Sequence, residues 1–235
     1  FYNQNMSRAF QFEPGEGYHI FNRGVEKRTV FLDLPDRIRF QKLLFLCNSD
    51  KTLHFSILKD DIKGAAIYHV DRGKLLVSIG AYCLMGNHFH LLVQERVKGG
   101  ISQFMQKLIT AYTMYFNIRN ERTGSLFEGR FRARHASHDE YLKYLFSYIH
   151  LNPAKHIKPA WEEQGIQDLK AVWQYLASYR FSSIVDYLGE KRTERVILSR
   201  SYFPSYFPKK NSMKRELLGW LSLKPEEVDN KRFQG

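Results

Sequence analysis

The spacing of hydrophobic and polar positions changes several times along the chain, and each change marks an element. Tyr18-His19-Ile20-Phe21 is a short apolar run leading into Asn22-Arg23-Gly24, which predicts a strand ending in a loop. From Leu34 to Cys47 the apolar residues Ile38, Leu43, Leu44 and Cys47 recur at nearly helical spacing, and Asp33 and Pro35 suit the start of a helix. Two β-type runs follow, Leu75 to Leu84 and His88 to Gln94, joined through Met85-Gly86-Asn87. A Gly-Asn pair between such runs predicts a hairpin, with His88 to Gln94 in the middle of a sheet. Ile101 to Ile118 places Ile101, Phe104, Met105, Leu108, Ile109, Tyr112, Tyr115 and Phe116 on one helical stripe.

Gly124 to Ala136 is extended in character, and Arg130, Arg132 and Arg134 alternate there with Phe131 and Ala133. At period two the three guanidinium groups share a strand face. His138 and Asp139 open a third helix through about Leu151, limited by Pro153. Strand, helix, two strands, helix, strand, helix is the order of an α+β fold, helices packed on an antiparallel sheet. Beyond Trp161 the pattern weakens. Tyr175 to Leu188 is aromatic-rich and is expected to pack back on the core, and Met213 to Leu223 predicts a short helix with Leu217, Leu218 and Leu221 on one face. No internal repeat or low-complexity tract is evident.

Composition adds a partner class. Of 235 residues, 43% are hydrophobic and 15% aromatic, enough for a real core, which excludes disorder throughout. Lys and Arg number 36 against 24 Asp and Glu, a formal net charge of +12, and such an excess on a folded protein points to a polyanion. Lys191 to Arg215 holds eight basic residues against Glu194 alone, so this C-terminal region reads as an appended basic module. The two cysteines, Cys47 and Cys83, read as buried apolar residues of a reducing compartment rather than a disulfide framework. No apolar run approaches the roughly 18 residues that span a bilayer, and Phe1 to Asn5 lack a signal-peptide pattern, so the expectation is a cytoplasmic, nucleoid-associated protein with no membrane partner.

The triplet His88-Phe89-His90 carries the clearest chemistry. On a strand, i and i+2 share a face, so both imidazoles can approach one metal while Phe89 enters the packed side. A hydrogen-bonded structural pair is the competing reading. Two histidines are too few for a closed zinc site and neither cysteine has ligand spacing, so a third ligand must come from elsewhere. Tyr148 and Asn152 lie four apart on the third helix. The Asn152 amide oxygen would complete a hard, open site for Mg²⁺ or Mn²⁺, with the Tyr148 phenol beside it as a nucleophile for a phosphodiester. By spacing alone, Tyr141, Tyr144 and Tyr148 read first as an aromatic packing stripe on the helix.

Four ordered segments change the weights: Tyr18-His19-Ile20 with Asn22-Arg23-Gly24, Met85-Gly86-Asn87-His88-Phe89-His90-Leu91-Leu92, Gly124-Ser125-Leu126-Phe127-Glu128-Gly129-Arg130-Phe131, and Tyr148-Ile149-His150-Leu151-Asn152-Pro153. Together, and with Tyr179-Arg180-Phe181-Ser182-Ser183 and Asp186-Tyr187 further on, the chain resembles the single-tyrosine HUH transposases of the IS200-like family, most closely the REP-associated tyrosine transposase branch. The resemblance implies a ferredoxin-like domain over residues 16–190, after an N-terminal arm, 1–15, and before a basic extension, 191–235. It further implies cleavage and joining of single-stranded DNA beside hairpins through a 5′-phosphotyrosine, with His88 and His90 as metal ligands, Asn152 at the further ligand position, where the family often has glutamine, and Tyr148 as nucleophile.

Tyr144 is the alternative nucleophile, since Tyr144 and Tyr148 form a relaxase-like pair, and Tyr112 and Tyr115 are further candidates. His150, rotated about 200° from Tyr148 around the helix, is expected at the surface. Arg23, Lys27, Arg130, Arg132 and Arg134 are candidate phosphate contacts, and Lys209 and Lys210 lie in the segment that would grip a hairpin stem. Two rival functions also fit the sequence: a domesticated hairpin DNA- or RNA-binding regulator with little cleavage, and a metal hydrolase using a histidine-bound water. Monomer and homodimer are both compatible with the sequence.

Overall fold

In a computed structural model, residues 11–52, 64–207 and 209–222 are described. Among them, β1 (Gly17–Arg23), α1 (Leu34–Leu46), β2 (Val77–Leu84), β3 (His88–Glu95), α2 (Gly100–Arg119) and β4 (Arg132–His135) follow in the βαββαβ order. The strands form one antiparallel sheet in the order β2-β3-β1-β4. This is the α+β, ferredoxin-like arrangement expected from the sequence, with the histidine-bearing strand β3 in the interior of the sheet.

Strand alternation divides the side chains between two cores. Tyr18, Ile20, Phe89, Leu91 and Val93 face α1 and α2, joining Phe40, Leu43, Leu44, Phe104, Leu108 and Tyr112. Asp33 caps α1 by accepting the Asp36 N–H at 3.2 Å, with Pro35 in the first turn, as the sequence predicts. The opposite face, with Ala81, Cys83 and Leu92, packs on α3 (Asp139–Leu151). Both cysteines are free and buried.

Outside α3 lies a further layer: α4 (Trp161–Gln164), α5 (Leu169–Ser178), α6 (Ile184–Tyr187) and α7 (Lys210–Ser222). Val172 and Leu176 of α5 and Met213, Leu217 and Leu221 of α7 are buried in the same core as Leu145, Phe146 and Ile149. The C-terminal helix is therefore continuous with the packed body. Arg192 fastens this layer to the sheet. Its guanidinium donates to the fully buried Asp186 carboxylate at 2.8 and 2.5 Å, to the Tyr82 hydroxyl at 2.8 Å and to the Ser182 carbonyl at 3.1 Å. The same segment covers the outer edge of β2: Ser183 N–H donates to Tyr82 O, Ser199 N–H to Ile79 O, and Leu84 N–H to Phe181 O, each at 2.9 Å.

Two sequence expectations are corrected. Only Arg132 and Arg134 lie on strand β4; Arg130 precedes it, in an irregular loop that turns at Gly129 with φ +59°. The loop is anchored instead by Leu126 and Phe127, which turn into the first core. His150 is fully buried rather than at the surface, with Nε2 2.7 Å from Ser183 Oγ and its ring against Phe146. Its side of α3 is covered by the outer layer. No helix among the described residues is long and apolar enough to cross a membrane.

Candidate active site

The β1-β3 register sets Phe21 opposite His90 and Arg23 opposite His88, and the β1-β4 register sets Arg134 opposite His19 and Arg132 opposite Phe21. Directly paired residues share a face, so His19, Phe21, Arg23, His88, His90, Arg132 and Arg134 all project from the side that carries α3. There the Tyr148 ring stands edge-on to His90 and His19, with centroids 5.5 and 5.8 Å away. One turn on, Asn152 is buried; its Nδ2 donates to the Tyr148 carbonyl at 2.8 Å, and its Oδ1 has no hydrogen-bond partner. An orphaned buried carbonyl oxygen is unfavourable unless something electropositive meets it.

The histidine tautomers follow from their neighbours. Asn87 Nδ2 donates to the Lys27 carbonyl at 3.0 Å, which leaves Asn87 Oδ1 to face His88 Nδ1 at 2.6 Å. An amide oxygen only accepts, so His88 carries its proton on Nδ1 and keeps a lone pair on Nε2. His90 Nδ1 is 2.9 Å from His19 Nε2. If His90 Nδ1 donates there, its Nε2 is likewise open, the outer-partner pattern typical of metal-bound imidazoles. Burial first, then nearby cations, holds all three rings neutral: His19 is lowered to about 3 by burial and Arg134, His88 to about 4 by burial, Lys155, Arg23 and His156, and His90 well below its usual range. Neutral imidazoles are the form that binds metal. Two ring nitrogens and the Asn152 oxygen thus suit a hard divalent cation; among the described residues no set of three His, Cys, Asp or Glu offers an alternative.

The loop after β1 holds this arrangement. Gly24 N–H donates to the Asn87 carbonyl at 2.8 Å, and a Cβ on Gly24 would lie 2.3 Å from the Arg28 carbonyl oxygen. Its φ of −61° is ordinary, so close backbone approach, not conformational freedom, requires glycine. Gly24→Ala is expected to destabilise the protein by about 1–3 kcal/mol, measured by urea denaturation; a neutral result would show that the loop yields freely. Beyond it, Glu26 and Lys27 both have left-handed φ, 54° and 60°, strain that aims the Lys27 carbonyl at Asn87.

Tyr144 stacks on Tyr141 and Tyr148 at 5.9 Å and lies tilted against Trp220 of α7 at 5.2 Å, one turn away from the histidines. Tyr112 and Tyr115 are on the opposite face of the sheet, where their hydroxyls donate to the Val30 carbonyl and the Asp36 carboxylate. Arg23 is held by Glu128 through two contacts of 3.1 Å. Lys27, Arg130, Arg132, Arg134, Lys209 and Lys210 are exposed, the last two at the start of α7. His19 and Asn87 are partners that sequence reasoning assigned no role. Their only signal is position: His19 shares the period-two face of the triplet once the register is known, and Asn87 directly precedes it.

Residues 47–152 match the family described as Transposase IS200 like. The segment that matches these transposases contains His88, His90, Tyr148 and Asn152, and the match bears out the resemblance drawn from the motifs. A solved structure described as the REP associates tyrosine transposase bound to a REP hairpin aligns over 80% of this chain and 88% of its own, at 12% identity and TM-score 0.43; similarity at that level carries no argument about activity. No curated protein matches the chain.

Proposed function

We propose that this protein is an IS200-like, metal-dependent endonuclease and strand transferase that acts on single-stranded DNA beside hairpins, with Tyr148 as nucleophile. The observation that carries the reading is the placement of the Tyr148 ring against His90, with the orphaned Asn152 Oδ1 one turn away. His88 Nε2, His90 Nε2 and Asn152 Oδ1 would hold Mg²⁺ or Mn²⁺, which when bound polarises a phosphodiester and stabilises the charge that develops on it. In the step itself, the Tyr148 hydroxyl oxygen bonds to phosphorus and the P–O3′ bond breaks. The phenolic proton passes out of the site and the 3′ oxygen takes one up, leaving a 5′-phosphotyrosine and a free 3′-hydroxyl. The phosphodiester energy is conserved, so the reverse attack by another 3′-hydroxyl rejoins DNA.

The exposed Arg132 and Arg134 continue the site face to the edge of the sheet, where they suit the backbone of an incoming single strand. Lys209 and Lys210 extend the basic surface to α7, in the place proposed for a hairpin stem. Residues 16–190 would then carry the chemistry and 191–235 the stem contact. The resemblance of the motifs to the REP-associated branch supports hairpin DNA as substrate.

The test is a 3′-labelled, hairpin-bearing single-stranded oligonucleotide incubated with the protein and Mn²⁺ or Mg²⁺. Label migrating with the protein on a denaturing gel is expected. Hairpin binding without an adduct would overturn the enzyme reading in favour of a binding regulator, and free cleaved product without an adduct would favour a hydrolase. Loss of the outer partner of His88 has its own readout: Asn87→Ala is expected to weaken Mn²⁺ binding about 10- to 100-fold by titration calorimetry. Unchanged affinity would show that Asn87 does not orient His88.

A further inference from the structure

Tyr148, Asn152 and Lys155 recur at i, i+4 and i+7, because α3 runs without a break into a 3₁₀ turn, Asn152–His156, with Pro153 in its first turn. The half-buried Lys155 therefore stands above the candidate nucleophile, with Nζ 5.9 Å from the centre of the Tyr148 ring.

We propose that Lys155 is a catalytic residue that binds the phosphate under attack. The proposal rests on the reading of Tyr148 as nucleophile and adds a substrate contact to it. A cation one turn beyond the cation-binding amide oxygen of Asn152 repels any metal that enters. An anion shared between the ammonium and the metal offsets that repulsion, and a phosphodiester is the anion this chemistry requires. The ammonium is a compact charge on a flexible stem, able to follow a non-bridging oxygen as the phosphate changes shape during attack. The negative charge accumulating on those oxygens makes the contact stronger in the transition state than in the ground state.

The experiment compares Lys155→Met and Lys155→Arg with the full chain in two assays. In the first, adduct formation with Mn²⁺ is expected to slow about 10²- to 10³-fold in Lys155→Met and to recover most of the rate in Lys155→Arg. In the second, single-stranded oligonucleotide binding without divalent metal is measured against salt. One lost phosphate contact lowers the slope of log K on log salt by about 0.7. A Lys155 that merely packs on the Tyr148 ring would leave that slope unchanged, and an unchanged slope in Lys155→Met overturns the proposal whatever happens to the rate. A full adduct rate in Lys155→Met overturns it as well. Should wild-type protein form no adduct, the reading of Tyr148 fails on its own, while the slope still decides whether Lys155 touches phosphate. If Lys155→Met lowers the melting temperature, Lys155→Gln carries the same comparison.

Discussion

Tyr148→Phe is expected to abolish the covalent DNA adduct, lowering its yield at least about 10³-fold, while Mn²⁺ affinity and melting temperature stay close to wild type. Phenylalanine keeps the ring that stands edge-on to His90 and His19 and stacks on Tyr144, so only the attacking oxygen is lost. The Asn152 contact survives as well, because its amide binds the backbone carbonyl of residue 148 rather than the phenol. Gel analysis with the 3′-labelled hairpin oligonucleotide measures the loss. A wild-type yield from the variant would move the nucleophile elsewhere, and the nearest phenol is then Tyr144, one turn earlier, whose own Phe variant would lose the adduct instead.

The second large effect is on stability. Arg192→Met is expected to destabilise the protein by about 3–5 kcal/mol, equivalent for a chain of this size to a fall in melting temperature of about 6–20 °C. The reason is Asp186. Its carboxylate is fully buried and takes two contacts from the Arg192 guanidinium, and methionine would leave that charge in the core without its counterion. Adding Asp186→Asn to Arg192→Met should recover part of the loss, because the buried charge is then gone too. Thermal melting of both variants checks this, and a loss below about 1 kcal/mol would place Arg192 among exposed ion pairs of little worth.

The helices of the first half of the fold were legible because their apolar residues recur at helical spacing. The helix expected from Leu34 to Cys47 is observed over Leu34–Leu46, and that from Ile101 to Ile118 over Gly100–Arg119. The triplet His88-Phe89-His90 was readable from its strand period: alternation places the imidazoles together whatever the rest of the sheet does. His150 was misread because α3 is not one-faced. It meets the sheet on one side and α5, α6 and α7 on another, so rotation away from Tyr148 leads into a second core and not into water. Arg130 was misread because alternation of residue types does not require extended backbone, and Gly129 ends the pattern. The hydrogen bond between His19 and His90 spans 71 positions of sequence, and only strand register brings those rings together.

The covering of β2 has a consequence for any shortened form of this chain. An edge strand offers unpaired N–H and C=O groups to whatever backbone arrives first, and here Ser183 and Ser199 occupy them from within the same molecule. A chain cut near residue 190 would keep every proposed catalytic residue yet bare the part of that edge which Ser199 seals, along with the apolar floor beneath α7. Its fate would be decided by self-association before chemistry. Removing the basic extension therefore tests solubility first, and its role in holding DNA is better probed by reversing the charges of Lys209 and Lys210 in the intact chain.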